Sequence, residues 1–161
     1  MRRRLIVMRH ATAASGSGLP SDHVRPLTTR GTAEADNVGQ QLSSLGWLPD
    51  LALVSDASRT SETWWCLAEH VGSPSSTMMP SFYGAGLDAL VDALKRLPDD
   101  CGSVLVLGHN PGWSEAASWL SGVQIAMAPA NAVCLEANGD RWTDVLGPGA
   151  MRLDRVVRAA V

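Results

Sequence analysis

Three short apolar runs limit what this chain can fold into. Leu5-Ile6-Val7-Met8, Leu51-Ala52-Leu53-Val54 and Ser103-Val104-Leu105-Val106-Leu107 each stop abruptly at a small or polar stretch. A helical pattern follows the second and third directly, and follows the first after a long loop. Continuous runs of Val, Ile and Leu suit strands buried on both faces of a parallel sheet. Repeated strand–loop–helix units predict an α/β fold with a mostly parallel central sheet. The carboxyl ends of such strands open at one edge, where open α/β sheets hold their ligands.

Charged and titratable residues stand at those ends. Arg9 and His10 close the first run, Arg59 follows the second in Ser55-Asp56-Ala57-Ser58-Arg59, and His109 follows the third in Gly108-His109-Asn110-Pro111-Gly112. Two guanidiniums and two imidazoles should therefore converge at one edge, unpaired by nearby carboxylates in sequence. Such a cluster calls for an anion. Two histidines suffice in principle for a metal, but the flanking arginines would repel a cation, so no metal or cofactor is expected.

Composition narrows the setting. The chain reads as one domain over residues 1–161, with 45% hydrophobic and 18% charged residues and a net charge of −3. That balance argues against a nucleic-acid partner. Arg2-Arg3-Arg4 ahead of Leu5 imitates a signal peptide, but four apolar residues are too few for one, and no run reaches membrane-spanning length. Cys66, Cys101 and Cys134 are odd in number and form no paired motif, which fits reduced thiols in the cytoplasm.

Taken in order, the loop after His10 runs to about Leu27 and is rich in Gly, Ser and Pro. Long loops inside compact domains are usually functional. Thr12 can offer a hydroxyl to an anion or serve as a plain loop residue, and His23 reads as loop packing. Asp22 lies in the same loop. A first helix begins at Thr28 or Thr29, buries Ala35, Val38, Leu42 and Leu45, and ends at Gly46. A second starts near Ala57, packs Trp64, Leu67, Ala68 and Val71, and stops at Gly72; His70 near its end suits the dipole.

Arg59 falls in the first turn of that second helix, where the positive end of the helix dipole disfavours a cation. Either an anion lies beside it or it is an exposed surface arginine. On dipole grounds alone, Arg59→Ala should leave stability unchanged or slightly raised.

Ser73 to Gly86 reads as a loop in which Tyr83 either closes over the site or anchors the loop. A third helix carries Leu87, Leu90, Val91 and Leu94 inward, with Asp88 and Asp92 on a solvated face, and halts at Pro98. Asn110 is placed to cap a fourth helix, Pro111 to occupy its first position, and the free amides there to bind an anion. Trp113, Ala117 and Leu120 pack inward. Beyond Gly122 come two short strands, Ala132–Ala137 and Trp142–Leu146, joined by an Asn138-Gly139 turn. Arg152, Arg155 and Arg158 form a solvated face.

Two guanidiniums and two imidazoles suit a phosphoryl group. Arginine's planar fork matches phosphate oxygens; one neutral imidazole can attack phosphorus while the other steadies the equatorial oxygens. The arginines should help keep the attacking ring neutral. Met8-Arg9-His10-Ala11, the Arg59 junction and Gly108-His109-Asn110-Pro111-Gly112 resemble the histidine phosphatase superfamily, the phosphoglycerate-mutase-like branch. Ala11 in place of the usual glycine, with Arg25-Pro26-Leu27-Thr28, is similar to the SixA-type phosphohistidine phosphatases. The resemblance spans Leu5 to about Leu153.

It implies a three-layer α/β/α sandwich, His10 as nucleophile, and Arg9, Arg59 and His109 as the rest of the phosphate pocket, with Thr12, Asp22 and Asn110 as accessory candidates. The implied activity is dephosphorylation of a histidine on a phosphorelay or phosphotransferase protein through a covalent enzyme intermediate. A small-molecule phosphomonoesterase and a non-catalytic phosphate-binding module are the alternatives. Larger relatives insert a general-acid carboxylate between the Arg59 and His109 junctions. This chain has no obvious counterpart, which favours a phosphorylated protein over a phosphomonoester. Its short length suggests an open pocket.

Overall fold

The computed structural model describes residues 1–161. Ten regular elements alternate along the chain: β1 (Arg2–Arg9), α1 (Thr29–Ser44), β2 (Leu51–Ser55), α2 (Ser58–Leu67), β3 (Ser75–Met79), α3 (Leu87–Lys95), β4 (Ser103–Gly108), α4 (Gly112–Ser121), β5 (Ala132–Asn138) and β6 (Arg152–Val157). The strands form one six-stranded sheet in the order β3-β2-β4-β1-β5-β6. The first four are mutually parallel, β5 runs antiparallel to β1, and β6 antiparallel to β5.

Alternation along the central strands divides the core into two layers. Leu5 and Val7 of β1 join Val104 and Val106 of β4 against α3 and α4, in a cluster holding Leu90, Leu94 and Trp113. Ile6, Met8, Leu105 and Leu107 point the other way, onto Val38 and Leu42 of α1 and Trp64 and Leu67 of α2. This is the expected sandwich, and all eight strand residues are fully buried.

Helix limits follow local chemistry. The Thr28 hydroxyl accepts the Gly31 amide at 3.0 Å and starts α1. Its end is closed by Gly46 at φ +73, with the Trp47 amide reaching back to the Leu42 carbonyl at 2.9 Å.

Three expectations are corrected. The stretch Ser73–Gly86 contains the edge strand β3, which pairs with β2 from Leu51–Ser75 onward. Its exposed Ser, Ser and Thr carry no apolar alternation. Trp142–Leu146 is not a strand: Trp142–Val145 forms a short 3₁₀ turn. The Trp142 ring is buried there, its Nε1 donating to the Cys101 carbonyl at 2.7 Å, with the Arg3 guanidinium 5.6 Å from its centroid. The partner of β5 is instead β6, which carries Arg152 and Arg155. Both arginines are exposed as expected, but on an edge strand, where charge discourages further pairing.

Candidate active site

The sheet register assembles the site. β1 and β4 are neighbours with Arg9 opposite Gly108, and the His10 amide donates to the Gly108 carbonyl at 3.1 Å. His10 and His109 therefore leave the sheet side by side. Their ring centroids are 5.4 Å apart, with planes inclined at 53°. β2 hands over to α2, whose first turn carries Arg59. One turn on, the Thr63 hydroxyl donates to the Arg59 carbonyl at 2.7 Å and accepts the Ala11 amide at 3.0 Å, locking α2 to the residue after His10. Arg9, His10, Arg59 and His109 thus gather at one sheet edge as the sequence implies.

The functional side chains are recessed. His10 is 9% exposed, and His109 and Arg59 6% each. Tyr83 lies over them, its ring edge-on to His109 at 5.6 Å and within 5.9 Å of the Arg59 guanidinium. Of the two readings of Tyr83, closure over the site is the one observed. Arg59 is correspondingly not a surface residue.

The loop between β1 and α1 supplies a carboxylate that sequence neighbours do not. Arg59 donates to the Asp22 backbone carbonyl at 2.9 Å and to Asp22 Oδ2 at 3.1 Å. Tyr83 donates its hydroxyl to the same Oδ2 at 2.5 Å, and Arg25 reaches Oδ1 at 2.9 Å. An anion does sit beside the misplaced cation, and it is part of the chain. These donors hold the Asp22 carboxyl well below the usual carboxylate range.

The accessory residues separate. Thr12 is fixed through its backbone: its amide donates to Glu34 Oε1 at 2.9 Å and its carbonyl accepts the Thr28 amide at 3.0 Å. α1 comes so close here that a Cβ on Gly31 would run into the Thr12 carbonyl. Asn110 donates to the Met127 carbonyl at 2.8 Å, which Arg9 also contacts at 3.0 Å. Pro111 precedes α4 as its cap rather than its first residue. Two of the amides at the start of α4 are already engaged. That of Trp113 binds the His109 carbonyl and that of Ser114 binds Asn110 Oδ1. His23 packs on the rim, edge-on to Tyr83 and 3.0 Å from Asp56.

Proton positions follow from the partners. His10 Nδ1 lies 2.7 Å from the Ala11 carbonyl, which can only accept, so Nδ1 carries the hydrogen and Nε2 keeps its lone pair. Ser55, which the sequence reading passed over, does the reverse for His109. Its Oγ accepts the Ala57 amide at 3.4 Å and lies 2.8 Å from His109 Nε2. The hydroxyl then donates to the Nε2 lone pair, and the ring's own hydrogen sits on Nδ1.

That Nδ1 has no partner, and neither do Arg9 Nε and Arg59 Nε; among buried side-chain nitrogens and oxygens only Ser103 Oγ shares the condition. Orphaned buried donors are costly and rare. Three of them in four neighbouring residues leave room for an acceptor-rich anion. Burial, more than the arginines, keeps both rings neutral: His10 is pushed down to about 4 and His109 to about 3, with Arg59 adding to each. No three His, Cys, Asp or Glu side chains come together as a metal site.

Known proteins share this arrangement of elements. The chain is 39% identical over 168 aligned residues to an uncharacterized chloroplastic protein of Arabidopsis thaliana, covering 96% of this chain and 77% of that one. A SixA of Nakamurella multipartita, assigned as a phosphohistidine phosphatase, superposes with a TM-score of 0.88 at 26% identity over 100% of this chain and 98% of its own. A protein histidine phosphatase SixA in complex with tungstate has the same fold, with a TM-score of 0.81 at 21% identity over 96% of each chain. No protein-family model matches the sequence. The structural neighbours of this chain are thus SixA-type members of the histidine phosphatase superfamily.

Proposed function

We propose that this protein is a metal-independent phosphohistidine phosphatase that removes the phosphoryl group from a histidine on a phosphorelay or phosphotransferase protein. The observation that carries the reading is the set of orphaned donors, Arg9 Nε, Arg59 Nε and His109 Nδ1, beside an imidazole whose Nε2 is free. His10 Nε2 attacks phosphorus, and the donors take the equatorial oxygens as charge builds in the transition state. The bond to the leaving group breaks, a phosphohistidine forms on His10, and water then displaces it. Nδ1–H of His10, held on the Ala11 carbonyl, stabilises the positive ring while the phosphoryl group is attached.

Choice of substrate follows from what the site lacks. Asp22, the one carboxylate bound to it, is held ionised and has no proton to give. An alkoxide leaving group needs such a proton, whereas a phosphorylated imidazole does not. The three cysteines are free thiols, which suits a reducing cytoplasm, and no helix is long and apolar enough to cross a membrane. Incubation with a phosphohistidine-bearing phosphotransferase protein tests the reading. Loss of the label with the native protein, and its retention with His10→Ala, is the expected result; retention with both would refute it.

A further inference from the structure

We infer that the Asp22 carboxylate receives the far ring N–H of the substrate's phosphorylated imidazole and so selects the protonated ring as leaving group. This rests on the proposed function and adds to it the residue that sets leaving-group preference.

In-line displacement puts the leaving group on the side of phosphorus opposite the nucleophile. His10 is buried beneath the site, so the leaving group faces the rim. Asp22 and Tyr83 form that rim, and the Asp22 side chain is 51% exposed there. A carboxylate has about four acceptor positions. Oδ2 of Asp22 takes Tyr83 and Arg59, but Oδ1 takes only Arg25, so one position remains open toward solvent.

Charge supplies the reason such an acceptor is needed. Arg9, Arg25 and Arg59 all depress protonation of His10. A substrate imidazolium brought to the same edge would meet the same repulsion. Asp22 is the carboxylate bound to that cluster and can offset it. Free imidazole titrates near pH 6.5, so a carboxylate partner has a protonated ring to choose at neutral pH.

The exchange is balanced. The lone pair of His10 Nε2 forms the new N–P bond. The old P–N bond breaks and its electron pair returns to the substrate ring, which leaves as neutral imidazole with its N–H still on Asp22. The positive charge passes to His10, whose Nδ1–H rests on the Ala11 carbonyl. One phosphoimidazolium is exchanged for another, each with an oxygen acceptor at its far nitrogen, and no general acid is required. Water then bonds to phosphorus, the N–P pair returns to His10, and the water's spare proton leaves on the phosphate.

The test uses the native protein with Asp22→Asn and Asp22→Ala, assayed on a phosphohistidine peptide and on 4-nitrophenyl phosphate. Losing a charge-assisted contact should lower kcat/KM for the peptide roughly ten- to a hundredfold. The aryl ester should be turned over faster, because Arg59 is released to its phosphate. Parallel losses would show that Asp22 merely holds Arg59, and parallel gains or an unchanged peptide rate would show that it only covers the site; each overturns the inference. A second measurement needs no variant: methylating the far nitrogen of phosphoimidazole keeps the charge but removes the N–H. The native protein should lose at least about tenfold on it, and an undiminished rate overturns the inference. A native protein inactive on phosphohistidine altogether would instead defeat the proposed function.

Discussion

Ser55 Oγ lies 2.8 Å from His109 Nε2 and, by donating a hydrogen bond to that nitrogen, turns the ring's own N–H toward the phosphate position. Ser55→Ala should leave the buried Nε2 without a partner, at a cost of about 1–3 kcal/mol in stability. It should also release the tautomer, lowering kcat more than it changes KM. Thermal melts and steady-state kinetics on one aryl phosphate check both effects.

His10→Ala should abolish turnover and prevent any phosphoryl label from remaining on the protein after acid-free quenching. Its side chain is nearly buried rather than facing an open pocket, so the fold should be judged by its thermal transition. Because a neutral, desolvated ring is being removed, that transition should move by no more than a few degrees. Chelator treatment should leave the native activity unchanged; loss of activity would point to a metal.

Acid should act on stability before it acts on chemistry. His10 and His109 titrate near 4 and near 3 in the folded protein, against about 6.5 unfolded. Between those values the unfolded chain binds more protons, so stability is fully present above about pH 6.5 and declines as pH falls toward 4. Both rings stay neutral over most of that window, so kcat/KM for an aryl phosphate should hold until roughly pH 5. Melting curves and kinetics across pH 4–8 check the two limbs separately.

Arg59→Ala should weaken tungstate binding and also lower the melting temperature, by about 1–3 kcal/mol of stability. The dipole argument alone gives no loss or a slight gain. It omits Asp22, which Arg59 holds from 37 residues away. Titration with tungstate, followed by melting in anion-free buffer, distinguishes the two.

The quartet was legible in the sequence because each member ends a strand or opens the following helix, and a parallel sheet brings such ends together. The helices were legible through their stripes, as with Val38 and Leu42 or Leu90 and Leu94. Asp22 is legible as an accessory loop residue, but its pairing is not, because nothing periodic fixes where a loop from Ala11 to Leu27 folds back. Ser55 was hidden because a serine after a strand looks like any loop residue. β3 and β6 were missed for a shared reason: edge strands with Ser75, Ser76 and Thr77 or Arg152 and Arg155 face water and lose the apolar pattern. Trp142 misled in the opposite sense, since its burial serves the Cys101 carbonyl and Arg3 rather than a strand.

The most direct test is kcat/KM for phosphohistidine, an aryl phosphate and an alkyl phosphate in one buffer. General-acid help is typically worth about 10²–10⁴-fold, and the site offers none. Phosphohistidine should therefore exceed the alkyl ester by a factor of that order, with the aryl ester between them. Equal turnover of the alkyl ester and phosphohistidine would contradict this and reveal a proton donor in the site.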